Sequence, residues 1–467
     1  MNVAHQNILT NKIHLFHPTI LREYDIRGVH DETLFADDAY WIGRCFGHCV
    51  KTKGGRAVAL CRDGRLSSPQ LKEALKNGLC EAGLDVYDLG LGPTPMLYFA
   101  EYALPVDGAI MITGSHNPPS HNGFKMSLGR KPFFGEEIKA FTQLLSENLS
   151  QGQGKVFKED LCSSYVNRLC EGMEFSKKLT IAWDPGHGAT AAVLKSLIDR
   201  IPGRHILLND EVDGNFPAHS PDPSDPENLA QLRQIVLEEG CDLGIAFDGD
   251  GDRVAAVDGK GNIFCGDQLL LVFAKDLLKR EAKATVIADV KASQGLFDEV
   301  ARLGGNPLMW KTGHSHIKSK MAEVGALLAG EMSGHFFFKE KYYGFDDGMY
   351  AAVRLIHLLS HSPQSLAEFY EGLPSLFSTP EIRIPCENER KFQIPEDIKA
   401  RLKSKGIPFV DTDGVRVQLK DGWWLLRSSN TQDILVARCE ASTSEGLEQV
   451  KQHLKAKLLE EKVSIQF

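Results

Sequence analysis

One unit, a strand followed by a polar loop, a helix and a second strand, occurs three times along the chain and constrains its fold more than any other feature. The first strands are predicted at residues 57–61, 179–183 and 284–288, and the loops that end them at 62–65, 184–188 and 289–291. A helix follows at 69–82 in the first unit, a helix that ends at about 199 in the second, and a helix at 294–303 in the third. The second strands are predicted at 84–89, 205–208 and 307–310. Such units predict three related α/β domains whose ligands bind beyond the carboxyl ends of the strands.

The chain after residue 375 has a different pattern. Strands are predicted at 381–385, 414–419, 423–427 and 434–438, and helices at 397–403 and 444–459. Lys420-Asp421-Gly422 predicts a hairpin turn between two of these strands. This order favours a smaller α+β domain at the C-terminus. The sequence therefore predicts four domains, with bounds at 1–160, 161–262, 263–374 and 375–467.

Composition argues against several classes of protein. The chain has 467 residues and a net charge of -9, so nucleic acid is not expected as a partner and an anionic substrate needs a locally basic pocket. We see no signal peptide and no apolar run near the roughly 20 residues of a membrane span, so we expect a cytoplasmic protein that binds no membrane. The ten cysteines are scattered without a CxxC pair, which favours reduced thiols and argues against structural zinc.

A candidate reactive serine lies in the stretch Thr113-Gly114-Ser115-His116-Asn117-Pro118-Pro119, directly after a predicted buried strand at 108–112. Gly114 is expected to let the backbone turn tightly and to clear space beside the Ser115 hydroxyl. The two prolines stiffen the exit from the loop and exclude a helix there. These residues alone fit a serine held on a rigid loop and an ordinary Ser/Asn/Pro turn equally well.

An acidic loop, Asp248-Gly249-Asp250-Gly251-Asp252-Arg253, lies between two predicted strands at 242–247 and 254–257. Three carboxylates at alternate positions would repel one another unless a cation lies among them. An EF-hand does not fit, because its sixth position would be Arg253 and its twelfth Gly259. A solvated acidic turn is the alternative, but the apolar strands on both sides favour a metal site with oxygen ligands, which suits Mg²⁺.

Three further loops carry hydrogen-bonding groups. Residues 311–316 follow a strand, and residues 330–335 follow an apolar run; each is predicted to be a loop flanked by glycine. Glu331, Ser333 and His335 alternate, so on an extended backbone they would point the same way, as the gripping of adjacent sugar hydroxyls requires. The third loop, residues 427–431, combines a guanidinium with hydroxyl and amide groups, which is the composition of a phosphate cradle.

Taken together, the motifs TGSHNPP, DGDGDR, GEMSGH and RSSNT resemble those of the α-D-phosphohexomutase superfamily, in its phosphomannomutase/phosphoglucomutase branch. The resemblance covers essentially the whole chain in the right order. It implies an α/β fold of three related α/β domains and a smaller C-terminal α+β domain around a central cleft. It also implies an isomerase that moves a phosphoryl group within a hexose phosphate through a phosphoserine and a hexose 1,6-bisphosphate. We expect a monomer or weak dimer whose partner is a small sugar phosphate.

The resemblance assigns roles to individual residues. The expected catalytic residues are Ser115 as the phosphoserine, His116, Lys125, Arg253 and His335. The expected ligands of Mg²⁺ are Asp248, Asp250 and Asp252, with a phosphate oxygen on Ser115. The expected substrate-binding residues are Tyr24, Arg27, Lys291, His314, Glu331, Ser333, Arg427, Ser429, Asn430 and Thr431. A hexose 1,6-bisphosphate is the expected activator.

One departure and several alternatives stay open. The phosphate loop of this family often continues with a proline, whereas Gln432 and Asp433 follow here, and Asp433 puts negative charge near a phosphate site. The GEMSGH form favours the mannose/glucose branch over a phosphoglucosamine mutase. A Mg²⁺-dependent sugar phosphatase would not need the serine, and a sugar-phosphate binding or regulatory protein would not need the catalytic set.

Overall fold

The computed structural model describes residues 14–430, 433–465 and 467. Within these residues the strands form four sheets, and we call the unit built around each sheet domain 1, 2, 3 or 4. The predicted fold class is confirmed: three α/β domains and a smaller α+β domain. Each of the first three sheets contains parallel strands joined through helices, whereas the fourth is antiparallel.

Domain 1 contains the serine loop. Its strands are β1 (Ile26–Val29), β2 (Ala57–Arg62), β3 (Asp85–Leu91), β4 (Gly108–Ile112), β5 (His121–Leu128), β6 (Lys131–Phe133) and β7 (Val156–Lys158). Its helices are α1 (Ala36–Thr52), α2 (Ser68–Glu81), α3 (Thr94–Ala103), α4 (Glu136–Lys139) and α5 (Phe141–Leu144). The strand order is β1-β5-β4-β2-β3-β7, with β6 beside β5. Antiparallel pairing of β4 with β5 places the serine loop at the carboxyl end of β4.

Domain 2 contains the acidic loop, between the antiparallel strands β10 and β11. Its elements are α6 (Cys162–Leu169), β8 (Leu179–Asp184), α7 (Ala191–Ile198), β9 (Gly203–Leu207), a 3-10 turn (Pro226–Leu229), α8 (Ala230–Glu238), β10 (Leu243–Phe247), β11 (Val254–Asp258) and β12 (Ile263–Phe264). The strand order is β12-β11-β10-β8-β9. Because β12 pairs with β11, residues 263–264 belong to this second sheet.

Domain 3 contains the turn at 331–335, between β15 and β16. Its elements are α9 (Gly266–Leu278), β13 (Thr285–Asp289), α10 (Gln294–Arg302), β14 (Asn306–Trp310), α11 (His314–Val324), β15 (Leu328–Gly330), β16 (Phe336–Phe338), α12 (Gly348–His361) and α13 (Leu366–Glu371). The strand order is β14-β13-β15-β16. The carboxyl end of β13 therefore lies beside that of β15, which brings the loops after them together.

Domain 4 is an antiparallel sheet covered by two helices. Its elements are β17 (Phe377–Ser378), β18 (Ile382–Pro385), α14 (Asn388–Ser404), β19 (Val415–Gln418), β20 (Gly422–Ser428), β21 (Ile434–Ala441) and α15 (Ser444–Glu460). The helix predicted at 397–403 is more than a turn too short at its start, because α14 continues through Pro395. Ile394, Ile398 and Leu402 form its buried face, and their packing outweighs the hydrogen bond that the proline lacks.

The hydrophobic core shows how the domains are joined. One cluster of buried side chains runs through domains 1, 2 and 3 and includes Met111, Trp183 and Val286. Domain 4 has a separate core around Trp424 and Leu454. None of the helices in the described part of the chain combines the length and the apolar content that a membrane span needs.

Candidate active site

The serine loop, residues 113–119, is held between domains 1 and 2. Ser115 is 1% exposed, and its φ of 51° lies in the left-handed region, which non-glycine residues rarely occupy. Its amide donates to Thr113 Oγ1 at 2.7 Å, and its hydroxyl donates to Asp248 Oδ2 at 3.0 Å. The tight turn predicted at Gly114 is thus made by the serine itself. Gly114 serves a different purpose, because a Cβ there would lie 2.5 Å from the Arg65 guanidinium.

The acidic loop, residues 248–253, meets the serine loop across the boundary of domains 1 and 2. Asp248, Asp250 and Asp252 are fully buried, and one carboxylate oxygen from each lies within 4.8 Å of the others. Asp250 Oδ1 has no hydrogen-bond partner among the described residues. Gly249 permits the close approach, because a Cβ there would lie 2.5 Å from the Ser115 carbonyl oxygen. A buried acceptor without a partner, among three carboxylates and a hydroxyl, fits a hard divalent cation.

Lys125 on β5 faces the acidic loop from domain 1. Its Nζ lies 2.7 Å from Asp250 Oδ2 and also pairs with Asp252, and Thr94 donates a 2.5 Å hydrogen bond to Asp250. Burial opposes the charge on Lys125, but the carboxylates of Asp250 and Asp252 raise its pKa above the usual value. Burial, Asp252 and Asp250 raise the pKa of Asp248 well above its usual range. Ionisation of Asp248 is therefore costly in this setting, and a bound cation would offset that cost.

Residues 331–335 form a tight turn, so the extended backbone predicted from the alternation of Glu331, Ser333 and His335 is wrong. The turn is closed by hydrogen bonds between the main chains of residues 331, 334 and 335. The three side chains still meet, because His335 Nδ1 lies 3.1 Å from Glu331 Oε2 and 3.2 Å from Ser333 Oγ. His335 Nε2 lies 3.2 Å from Asp252 Oδ1. Burial lowers the pKa of this histidine, but Asp252 outweighs burial and raises it to about 9.

Two further histidines lie beside these loops. His314 begins α11, so the loop predicted at this position is wrong, and its ring stacks on His335 with centroids 5.8 Å apart. His116 Nδ1 lies 3.4 Å from Ser115 Oγ. Burial lowers the pKa of His314 and of His116 well below the usual value. Burial therefore favours the neutral form of both imidazoles, whereas Asp252 favours the charged form of His335.

The phosphate loop predicted at 427–431 begins within the last two residues of β20, and its described part faces domain 1. Arg427 is 5% exposed, and its Nε donates to Asp413 Oδ2 at 2.9 Å. Asn430 donates to the Tyr24 hydroxyl at 2.5 Å, and that hydroxyl donates to the Thr312 carbonyl at 3.0 Å. Tyr24 thus joins domains 1, 3 and 4 at one point.

The rest of the phosphate loop is described only in part. Ser429 is buried, and its amide donates to the Ile434 carbonyl at 3.0 Å. Thr431 lies outside the described residues. The side chain of Asp433 is 70% exposed and pairs with Lys391 Nζ at 3.1 Å, so a cation offsets the negative charge that the sequence places after this loop.

The remaining predicted cations come from three domains. Arg27 Nη1 donates to the main-chain carbonyl of residue 114 at 3.3 Å. Arg253 Nε lies 4.0 Å from Asp248 Oδ2. Lys291 Nζ donates to Glu381 at 3.0 Å, at the joint between domains 3 and 4. The sequence motifs of all four domains therefore converge on one region of the molecule.

Comparisons with known proteins agree with this architecture. Models of phosphoglucomutase/phosphomannomutase domains I, II, III and the C-terminal domain match residues 18–159, 163–261, 265–377 and 381–457. A phosphomannomutase/phosphoglucomutase from Pseudomonas putida is 45% identical over 442 residues, which cover 94% of this chain and 96% of that protein. The chain belongs to the phosphoglucomutase/phosphomannomutase family. The resemblance to this branch of the phosphohexomutases is thereby confirmed, and the protein is an enzyme.

Two other members of the family extend the comparison. A phosphoglucomutase from Neisseria gonorrhoeae is 42% identical over 442 residues, covering 94% of this chain and 96% of that protein. The crystal structure of a phosphoglucomutase/phosphomannomutase family protein from Burkholderia thailandensis has a TM-score of 0.90 at 40% identity, covering 95% of this chain and 98% of that one. The family resemblance therefore extends through all four domains.

Several residues of this family member contact the site and were missed by sequence reasoning. Asp63 and Arg65 hold the serine loop, Thr94 binds Asp250, and Asp413 binds Arg427. The loop at 62–65 carried a signal, because it ends the first strand of a strand–helix–strand unit, as the loop at 289–291 does. Thr94 and Asp413 lie in no recognisable motif, so only the folded structure reveals them.

Proposed function

We propose that this family member is a phosphohexomutase that interconverts the 1-phosphates and 6-phosphates of mannose, glucose or both. The observation that carries the proposal is the 3.0 Å contact between Ser115 Oγ and Asp248 Oδ2, which joins a serine in a strained conformation to three buried carboxylates. A phosphatase or a binding protein has no need of a serine held there. The names of the relatives, phosphomannomutase/phosphoglucomutase and phosphoglucomutase, support the same reaction.

In the proposed reaction Ser115 carries a phosphoryl group. The free hydroxyl of the hexose phosphate attacks phosphorus and gives up its proton, the bond from phosphorus to Ser115 Oγ breaks and that oxygen takes up a proton, and a hexose 1,6-bisphosphate forms. The bisphosphate turns end for end, Ser115 Oγ attacks its other phosphoryl group, and the bond from that phosphorus to the sugar oxygen breaks. In this second transfer His116, whose Nδ1 lies 3.4 Å from Ser115 Oγ, accepts the serine proton, and the leaving sugar oxygen takes up a proton as the product departs with one phosphate. A free hexose 1,6-bisphosphate would activate the enzyme by phosphorylating a bare Ser115.

Charge neutralisation is the main requirement of phosphoryl transfer, since the protein needs little covalent machinery. Asp248, Asp250 and Asp252 would hold one Mg²⁺, with an oxygen on Ser115 as a further ligand. Bound Mg²⁺ would supply positive charge to the transferring group. Lys125, Arg253 and His335 supply further positive charge from the chain itself.

Substrate recognition is divided between domains 3 and 4. Glu331 and Ser333 would bind the 3- and 4-hydroxyls of the sugar, because both side chains meet at one turn. The non-reacting phosphate would be held by Arg427, Ser429, Asn430 and Thr431. The other proposed substrate contacts are Tyr24, Arg27, Lys291 and His314. The expectations of a cytoplasmic monomer or weak dimer without nucleic acid or membrane partners stay predictions.

The test is a coupled assay of the purified protein with glucose 1-phosphate, mannose 1-phosphate and glucosamine 1-phosphate, each with Mg²⁺ and a trace of hexose 1,6-bisphosphate. We expect turnover of the first two sugars and little of the third. Release of inorganic phosphate in place of hexose 6-phosphate would identify a phosphatase. Preference for glucosamine 1-phosphate would place the protein in the other branch.

Ser115→Ala tests the donor role, and Ser120→Ala, an exposed serine after the same loop, is the matched control. Removal of the phosphoryl carrier is expected to lower turnover by about 10³-fold or more, since all of the chemistry passes through it. The control is expected to keep normal turnover. Near-normal turnover of Ser115→Ala with activator present would remove Ser115 from the mechanism.

A further inference from the structure

Arg65 lies wholly buried beneath the serine loop. A guanidinium has five N–H donors, and every one of them is used here. The acceptors are Asp63 Oδ2 for Nε (3.1 Å), the carbonyls of Pro118 (2.5 Å) and His121 (3.0 Å) for Nη1, and the carbonyls of Ser115 (2.6 Å) and Asn117 (2.6 Å) for Nη2. Three carbonyls of the serine loop and the carbonyl of the first residue of β5 therefore converge on a single side chain.

We propose that Arg65 is a positioning residue for phosphoryl transfer, which sets the direction of the Ser115 hydroxyl through the main chain of its loop. This inference rests on the proposed mutase function. Carbonyl dipoles that point at one another repel, and buried carbonyls without donors are costly. Without the guanidinium the loop would relax, and Ser115 would leave the left-handed conformation that directs its hydroxyl at Asp248.

Gly114 and Asp63 are explained by the same side chain. A Cβ at Gly114 would lie 2.5 Å from both Cζ and Nε of Arg65, so the glycine of the motif makes room for the guanidinium. Asp63 fixes the guanidinium from the other side and also accepts the Gly114 amide at 3.2 Å and the Ser68 hydroxyl at 2.5 Å. These contacts form one buried unit that holds the start of the serine loop.

Residues of domain 2 also contact Arg65 and the loop that carries it. The Phe216 ring lies 5.1 Å from the guanidinium carbon, which is a cation–π contact. A Cβ at Gly64 would lie 2.2 Å from Val212 Cγ1, so the strand-end loop and domain 2 are in close contact. Arg65 is therefore fixed by the same two domains that bring Ser115 to Asp248.

Lysine cannot replace this arginine, since an ammonium has three donors and no planar fork. A displacement of the nucleophile by about 1 Å costs roughly 100-fold in rate, so we expect Arg65→Lys to lower kcat about 100-fold. The KM should change by less than about threefold, because the substrate contacts on domains 3 and 4 are untouched. Phosphorylation of Ser115 by hexose 1,6-bisphosphate, followed by intact mass, should slow in parallel.

The experiment compares Arg65→Lys with Arg44→Lys, a control on α1 of the same domain that binds the Ser150 carbonyl away from the site. A kcat of Arg65→Lys within about threefold of wild type would overturn the inference while the mutase function stands. A wild type that neither turns over nor phosphorylates Ser115 would overturn both.

A double-mutant cycle separates positioning from general destabilisation. Gly114→Ala should lower kcat at least about tenfold in wild type and by a clearly smaller factor in Arg65→Met, where the guanidinium is gone and only the 2.7 Å approach of the new Cβ to the His121 carbonyl oxygen remains. Equal losses in the two backgrounds would contradict the proposal. If Arg65→Lys fails to fold, Asp63→Asn replaces it: kcat about tenfold lower at unchanged KM supports the proposal, and unchanged kcat overturns it.

Discussion

The joint between domains 1, 2 and 3 differs in kind from the joint between domains 3 and 4. In the first, aromatic side chains from three domains pack together. Tyr102 of domain 1 stacks on Tyr343 of domain 3 with centroids 4.1 Å apart, and Tyr165 of domain 2 donates to Asp347 of domain 3 at 3.0 Å. Tyr165 belongs to the continuous core of the three domains, and Tyr102 and Tyr343 pack against that core.

The second joint is mainly polar. Arg416 of domain 4 donates to the carbonyls of Val290 (2.7 Å) and Ala292 (2.9 Å), and its guanidinium lies 3.6 Å from the Trp423 ring centroid. Arg438 pairs with Asp267 of domain 3 at 3.2 Å. Val290 of domain 3 packs with Trp423 and Leu425 of domain 4 in a small buried apolar cluster. A cavity of about 360 Å³ lies beside it.

This difference suits the proposed roles of the domains, in which domains 1 and 2 carry out phosphoryl transfer and domain 4 holds the non-reacting phosphate. Dense apolar packing makes domains 1 to 3 one body, in which Ser115 and the three aspartates keep their geometry. A joint made of a few directional hydrogen bonds would let domain 4 separate and return with its phosphate loop, as the proposed mutase function requires. An intermediate that turns end for end needs both properties.

The largest expected effect comes from breaking the aromatic joint. Tyr165→Ala removes a fully buried ring and leaves Asp347 without two contacts from that hydroxyl. Large-to-small core changes of this kind cost about 3–5 kcal/mol. Urea unfolding should show that loss, and Tyr165→Phe, which keeps the ring, should lose only about 1 kcal/mol. A loss below about 1 kcal/mol for the alanine variant would mean that the joint is not a true core.

A smaller effect is expected at the polar joint. Arg416→Met leaves two buried carbonyls without their donor, which costs about 1.5–3 kcal/mol. Because the contact between domains 3 and 4 is weakened while the core shared by domains 1 to 3 is untouched, we expect KM to rise about tenfold and the unfolding of domains 1 to 3 to be unchanged. Arg401→Met is the control, since Arg401 pairs with Glu460 and Glu461 of its own domain and makes no ion pair with domain 3 in the described part of the chain. Destabilisation of domains 1 to 3 by Arg416→Met, or a KM no higher than that of the control, would erase the distinction between the joints.

The smallest effect concerns pH. Burial raises the pKa of Asp347 to about 7. A carboxyl with a raised folded-state pKa contributes stability that is full below its ordinary pKa, near 4, and is lost as pH rises through about 7. The body should therefore lose about 1 kcal/mol of this contribution between pH 6 and 8. Asp347→Asn should flatten the dependence of Tm on pH in that window, and an unaltered slope would contradict the assignment.

The strands at the site could be predicted because β2, β4, β8 and β13 are apolar runs that end at polar loops. Helix α3 gave no such signal, since nearly all of Thr94–Ala103 is buried and it has no polar face to set a period. Helix α14 begins at Asn388, well before the predicted start at 397, and it includes Pro395, a residue that usually ends or kinks a helix.

The candidate site likewise contains residues that could be predicted from the sequence and residues that could not. Motifs that lie within one loop, such as Asp248 to Asp252, could be recognised from spacing alone. The partners Arg65 and Ser115 lie 50 residues apart, and no local pattern encodes that contact. The positive φ of Ser115 could not be predicted either, because it depends on groups that the rest of domain 1 supplies.

The central claim is that one phosphate-binding site on domain 4 holds the phosphate at either end of the sugar. Measured binding affinities test this claim most directly. In a Ser115→Ala background, which prevents turnover, calorimetry would measure the Kd of glucose 1-phosphate and of glucose 6-phosphate with and without Arg427→Ala. A charge-assisted contact contributes about 1.5–3 kcal/mol, so both Kd values should rise roughly 10- to 100-fold. Arg427→Lys should recover part of the loss, because an ammonium lacks the planar fork. A higher Kd for only one of the two ligands would show that their phosphates are held by different residues. That result would contradict a single phosphate-binding site.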